Sequence, residues 1–137
     1  MTRNNNVVIP PNVARLMSSE DRKRFGILTP EERKAEIDLT LEREIHSQFS
    51  GWLYRNGFED YYHSDPVRRP TIKKGLPDFG IYRDSRIVFI EFKIHPNGLS
   101  EDQEIVFGRM GRQGNVILVC YTYEEGINAT SKFFNLL

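Results

Sequence analysis

The segment most restrictive for this chain is residues 75–93, Gly-Leu-Pro-Asp-Phe-Gly-Ile-Tyr-Arg-Asp-Ser-Arg-Ile-Val-Phe-Ile-Glu-Phe-Lys. Two strand-like runs, residues 78–82 and 87–93, flank Asp84-Ser85 at the tip of a tight turn, the pattern of a β-hairpin. The register imposed by a two-residue turn sets Asp78 directly across from Glu91. Side chains so paired have Cβ atoms roughly 4.5–5.5 Å apart, where like charges repel. Either one carboxyl holds a proton or a divalent cation lies between the two, since hard cations take oxygen ligands at about this spacing. Lys93 falls two residues beyond Glu91 on the same strand face. The competing reading is a hairpin whose Glu91 and Lys93 are simply solvated.

The second run also sets the sheet around it. Ile87 and Phe89 share a face with Glu91 and Lys93, and Val88, Ile90 and Phe92 occupy the other. Both faces are apolar over the first half, which predicts a central strand covered on both sides and polar only at its end. The formal net charge of zero gives no global attraction to nucleic acid or membrane, so an anionic partner must be held by local basic patches. Cys120 lies in the apolar run of residues 116–121 and reads as a buried, reduced core thiol. No run approaches ~20 apolar residues and no signal peptide is visible, which predicts a cytoplasmic protein without a membrane segment.

In chain order, residues 1–28 form a basic, poorly periodic arm with Arg15, Arg22, Lys23 and Arg24, and a short helix capped by Ser18 or Ser19 and ended by Gly26. Residues 29–137 form one domain. Thr29-Pro30-Glu31-Glu32 starts a long helix to about Asn56, stopped at Gly57. Its apolar stripe is Ile37, Leu41, Ile45, Phe49, Trp52 and Leu53, which leaves Glu42 bordering the buried face and Glu44 pointing outward. His46 and Gln48 read as ordinary polar flank. An edge strand over residues 58–63 follows, then a loop with Arg68, Arg69, Lys73 and Lys74 that either is solvated or meets phosphate. Beyond the hairpin, Ser100 and Gln103 form a capping box on a helix packed through Ile105, Val106, Phe107 and Met110. Residues 116–121 predict a buried strand, and Thr122 with Glu125 caps a last helix that ends at Phe133-Phe134.

With Pro77-Asp78, Glu91-x-Lys93 and an acid on the first long helix, the chain resembles the PD-(D/E)xK nuclease superfamily. Gly75-Leu76-Pro77-Asp78, Ile90-Glu91-Phe92-Lys93 and Leu99-Ser100-x-x-Gln103 are similar to the VRR-NUC family, and residues 41–45 to the first helix of archaeal Holliday-junction resolvases. The resemblance covers residues 40–122 and implies an α/β fold, a restriction-endonuclease-like αβββαβ core with a mixed central sheet flanked by helices. It implies that Asp78, Glu91 and the Phe92 backbone carbonyl ligate Mg²⁺ or Mn²⁺. It further implies that Lys93 orients or activates the attacking water, that Glu42 positions a water or second ion, and that Gln103 bonds near the lysine or a phosphate. The activity implied is metal-dependent DNA cleavage. A ~16 kDa chain has little room for a separate reader of base sequence, which favours structure-directed nicking or junction resolution. The alternatives are a sequence-specific nicking enzyme and a nucleic-acid-binding module that does not cut. A homodimer is expected from the resolvase resemblance of residues 41–45 and because Trp52, Tyr54, Phe133, Phe134, Leu136 and Leu137 exceed what one small core readily covers; the alternative is a monomer with a fully packed C-terminus.

Overall fold

In the computed structural model, which describes residues 7–8, 16–24, 26–64 and 73–136, the chain separates into two units, Met1–Leu41 and Glu42–Leu137. In the first, β1 (Val7–Val8) pairs in parallel with β2 (Ile27–Leu28). Helix α1 (Ser19–Arg24) is capped by Ser18, whose Oγ accepts the Asp21 N–H at 3.1 Å, and Gly26 follows at φ 66°. Arg22 binds Glu32 at 2.7 Å, so this arginine of the basic arm is neutralised within its own unit. Helix α2 (Pro30–Arg55) begins there and continues into the second unit. Thr29 and Glu32 exchange side-chain and backbone hydrogen bonds at its start, and Gly57 at φ 84° follows its end.

The second unit is α/β, with a four-stranded mixed sheet flanked by helices. Its strands are β3 (Tyr62–His63), β4 (Phe79–Arg83), β5 (Arg86–Phe92) and β6 (Val116–Cys120), ordered β3-β4-β5-β6. The first two pairings are antiparallel and the last is parallel. Helix α3 (Glu101–Arg112) joins β5 to β6, and α4 (Tyr123–Phe133) follows. Asp84 and Ser85 both have positive φ, 53° and 62°, the geometry of the tight turn whose twist matches the strands. The register runs from Arg83 opposite Arg86 to Phe79 opposite Ile90, as a two-residue turn requires.

One sheet face builds the core. Phe79, Ile81, Val88, Ile90, Phe92 and Cys120 pack there with Phe49 and Leu53 of α2, and Phe58 joins them. Only the C-terminal half of the α2 stripe is buried: Ile37 and Leu41 are exposed. Residues 58–61 are not strand, because the Phe58 N–H closes the helix end on the Leu53 carbonyl at 2.9 Å and its ring turns into the core beneath the Arg83 guanidinium. β5 is central but not covered throughout. Tyr82 and Ile87, paired on the opposite face, are exposed because α3 packs on β6 and the Gly75 backbone, away from the turn. β6 lies at the sheet edge, and its Val116 and Val119 are exposed where a buried strand was expected. Ile105 of α3 is exposed as well, leaving Val106 and Phe107 as its buried pair. Trp52, Phe133, Phe134 and Leu136 pack on their own core, so of the apolar surplus only Tyr54 is exposed among the described residues. Leu137 lies outside those residues. No helix among them is long and apolar enough to cross a membrane.

Two helical glycines separate packing from propensity. A Cβ on Gly126 would lie 2.5 Å from Phe92 Cζ, whereas one on Gly111 would meet nothing within 4 Å. Overpacking costs about 1–3 kcal/mol, and replacing a mid-helix glycine by alanine returns up to about 1 kcal/mol. Gly126→Ala therefore lowers, and Gly111→Ala slightly raises, the free energy of unfolding in urea; the reverse order would mean that α4 is not seated on Phe92.

Candidate active site

Asp78 stands one residue before β4, where three backbone bonds fix it. Its carbonyl accepts the Ser64 N–H at 2.8 Å and its own N–H donates to Glu91 Oε1 at 3.1 Å. In return, Asp78 Oδ2 accepts the Phe92 N–H at 2.8 Å. Each acid thus grips the backbone of the other strand, extending the hairpin ladder with side chains. Oδ1 of Asp78 receives no hydrogen bond from the described residues. Pro77, ahead of it, is fully buried.

Glu91 is 3% exposed, which removes the reading of a solvated hairpin acid. Gln103 Nε2 donates to its Oε2 at 2.8 Å, and Lys93 Nζ lies 3.3 Å from the same oxygen. The capping box places that glutamine: Ser100 Oγ accepts the Gln103 N–H, and Gln103 Oε1 accepts the Ser100 N–H, leaving the amide nitrogen for Glu91. Burial, and then the charge of Asp78, push the Glu91 carboxyl from 4.5 up to about 7, against the smaller opposing pull of Lys93 and Gln103. The Lys93 N–H donates to the Cys120 carbonyl at 2.9 Å, which ties this end of β5 to β6. Cys120 itself is buried, and its thiol is raised to about 11, first by that burial and then by Glu125, as befits a core thiol.

From α2, Glu42 is half-buried and Glu44 exposed, the order expected from helical phase. The expectation of a passive flank holds for exposed Gln48 and fails for His46. His46 Nε2 lies 3.2 Å from Asp78 Oδ2, at ion-pair range but poorly angled for a hydrogen bond, so the attraction is chiefly electrostatic. Its ring sits edge-on to Phe79 and near Phe92, and His63 stacks on Phe79. Burial alone would lower the His46 pKa, but the contact and charge of Asp78, joined by Glu42 and Glu91, raise it overall. Spacing could have shown this. Four residues on a helix is a net turn of about 40°, which puts His46 on the Glu42 side of the stripe and Glu44 on the opposite flank.

Beside the acids opens a recess of about 270 Å³, lined by Ser64, Lys73, Lys74, Asp78, Ser100 and Gln103 among others. Both lysines are exposed. Arg68 and Arg69 lie outside the described residues. The Gly75 backbone, at φ 90°, abuts α3: a Cβ there would sit 2.6 Å from the Asp102 carbonyl oxygen, so glycine lets loop and helix meet. No three His, Cys, Asp or Glu side chains converge as a cation cage among the described residues. The acid pair therefore offers two carboxylates, to be supplemented by a backbone carbonyl or water.

The raised Glu91 carboxyl makes stability pH-dependent. The folded chain holds this proton more tightly than the unfolded chain, so the contribution is complete below about pH 4.5 and is lost as pH rises to about 7. The change is of the order of 3 kcal/mol. With chelator present, the unfolding free energy of Glu91→Gln relative to the native chain should move in the variant's favour by about that much between pH 5 and 8, in urea titrations. A difference that stays flat with pH would show that Glu91 ionises normally.

No family model matches the chain, and no curated protein or solved structure is significantly similar to it.

Proposed function

We propose that this chain is a metal-dependent DNA endonuclease with a PD-(D/E)xK site of VRR-NUC type. The observation that carries the reading is the buried, mutually clasped acid pair of Asp78 and Glu91 with Lys93 beside it. A chain that merely needed a stable hairpin would gain from an apolar residue in place of Glu91, because burying a carboxylate costs several kcal/mol unless it is compensated. The element order helix, strand, hairpin, helix, strand is compatible with a restriction-endonuclease-like core.

The donor set suits a hard divalent cation: carboxylate oxygens without a thiol, one of them on a carboxyl that burial and then the Asp78 charge push up to about 7. Asp78, Glu91 and the Phe92 backbone carbonyl would hold Mg²⁺ or Mn²⁺. Once bound, that ion supplies charge neutralisation and a water of lowered pKa. The chain's own groups do the rest. Gln103 fixes the Glu91 oxygen that Lys93 also approaches. Lys93, 15% exposed, presents its ammonium where negative charge grows on the phosphate and where a water must be oriented. Glu42 of α2, whose charge acts on His46 beside Asp78, would position a water or second ion. Lys73 and Lys74, with Arg68 and Arg69 close to them in sequence, neutralise neighbouring phosphates, so binding weakens steeply with salt.

The substrate proposed is DNA, branched by preference. One site cuts one strand, so resolving a four-way junction requires a homodimer. Phe133, Phe134 and Leu136, which suggested such an interface, are partly buried against their own core, and single-strand nicking at branch points is the simpler reaction.

A cleavage panel over duplex, single-stranded, flap and four-way DNA tests this. Activity in Mg²⁺ and none with EDTA is expected, with Asp78→Asn, Glu91→Gln and Lys93→Ala each losing at least ~100-fold at unchanged circular dichroism. Full activity in Asp78→Asn would overturn the assignment. On the helix, Glu42→Ala should cost far more activity than Glu44→Ala; equal losses would contradict the placement of Glu42 toward the acids.

A further inference from the structure

Of three histidines in the chain, two meet: His46 Nδ1 lies 3.1 Å from His63 Nε2. We propose that this pair is a second cation site, selective for a borderline transition ion such as Zn²⁺ or Co²⁺, distinct from the carboxylate pair. Two imidazole nitrogens bound to one tetrahedral ion at about 2.0–2.1 Å are themselves about 3.3 Å apart, close to the separation seen. Reaching it requires each ring to rotate so that both nitrogen lone pairs turn off the N···N line toward the ion.

Both rings are already held. His63 stacks flat on Phe79, with centroids 4.3 Å apart and planes within 3°, and His46 is wedged edge-on to Phe79 at 5.2 Å. Their backbones come from rigid elements, α2 and β3. On the far side of the ring, the buried Nε2 of His46 lies 3.2 Å from Asp78 Oδ2, a carboxylate that holds the ring electrostatically. With the proton on Nε2, the Nδ1 lone pair points at His63. A cation bound between the two nitrogens replaces any proton shared across their 3.1 Å contact, and that proton leaves to solvent. Imidazole nitrogen favours Zn²⁺, Co²⁺ and Ni²⁺, whereas Mg²⁺ prefers oxygen, which separates this pair from Asp78 and Glu91.

Among the described residues two ligands meet here, and water completes the coordination. His63 is exposed, which gives the ion an entrance. An ion there would also pin His46 and hence one side of Asp78. The proposal stands on this geometry and not on the nuclease reading.

The test is titration of the full chain with Co²⁺, followed by visible absorption, and with Zn²⁺, followed by calorimetry, each with and without millimolar Mg²⁺. His63→Phe keeps the stack on Phe79 and removes the nitrogen, and His63→Gln serves as a second variant; circular dichroism checks that each is folded. Expected is one Co²⁺ or Zn²⁺ per chain that Mg²⁺ does not displace, with affinity at least tenfold lower in both variants. Absence of such binding in the native chain, or equal affinity in both variants, overturns the proposal. DNA cleavage in Mg²⁺, assayed on the same samples, reports on the nuclease reading separately.

Discussion

Two backbone N–H groups, those of Asp78 and Phe92, donate to carboxylates on the opposite strand, and the remainder of the site depends on that exchange. It carries the β4–β5 pairing one step past its last regular pair and prevents the two acids from swinging apart. It also explains how like charges can share one end of a sheet. Each carboxylate is partly compensated by a peptide dipole, and further by Lys93 and Gln103 on Glu91 or His46 on Asp78. The compensation is incomplete at Glu91, whose carboxyl remains protonated to about pH 7. A buried carboxyl so shifted marks a candidate functional site.

Much of this was legible because it is local. A two-residue turn fixes register without reference to the rest of the chain, so Asp78 could be set opposite Glu91 from the spacing alone. Helix starts were equally readable: Thr29 with Glu32, Ser100 with Gln103, and Thr122 with Glu125 all cap as their spacing indicates, since a cap needs only neighbours. What the spacing did not convey is the second duty of Gln103, whose amide nitrogen is left over from the cap and reaches Glu91 across twelve residues.

The misreadings come from tertiary coverage. Ile87, Val116 and Val119 look like core residues by composition, but which sheet face is covered depends on where α3 lands, and no local pattern encodes that. At the C-terminus, Phe133, Phe134 and Leu136 pack against their own core and are partly buried there, which the local pattern did not convey either. His46 was missed for a different reason: its helical phase matched that of Glu42, but its partners, Asp78 and His63, arrive from separate strands. A polar residue on a helix flank acquires meaning only from what packs opposite it.

The central claim is that the clasped acids form a cation site. Anomalous diffraction from crystals soaked in Mn²⁺ addresses it without reference to catalysis or DNA. The account predicts a peak between the Asp78 and Glu91 carboxylates, within about 2.0–2.3 Å of an oxygen from each, that disappears in Asp78→Asn. Full occupancy elsewhere with none between these two acids, in crystals grown above pH 7, would contradict it.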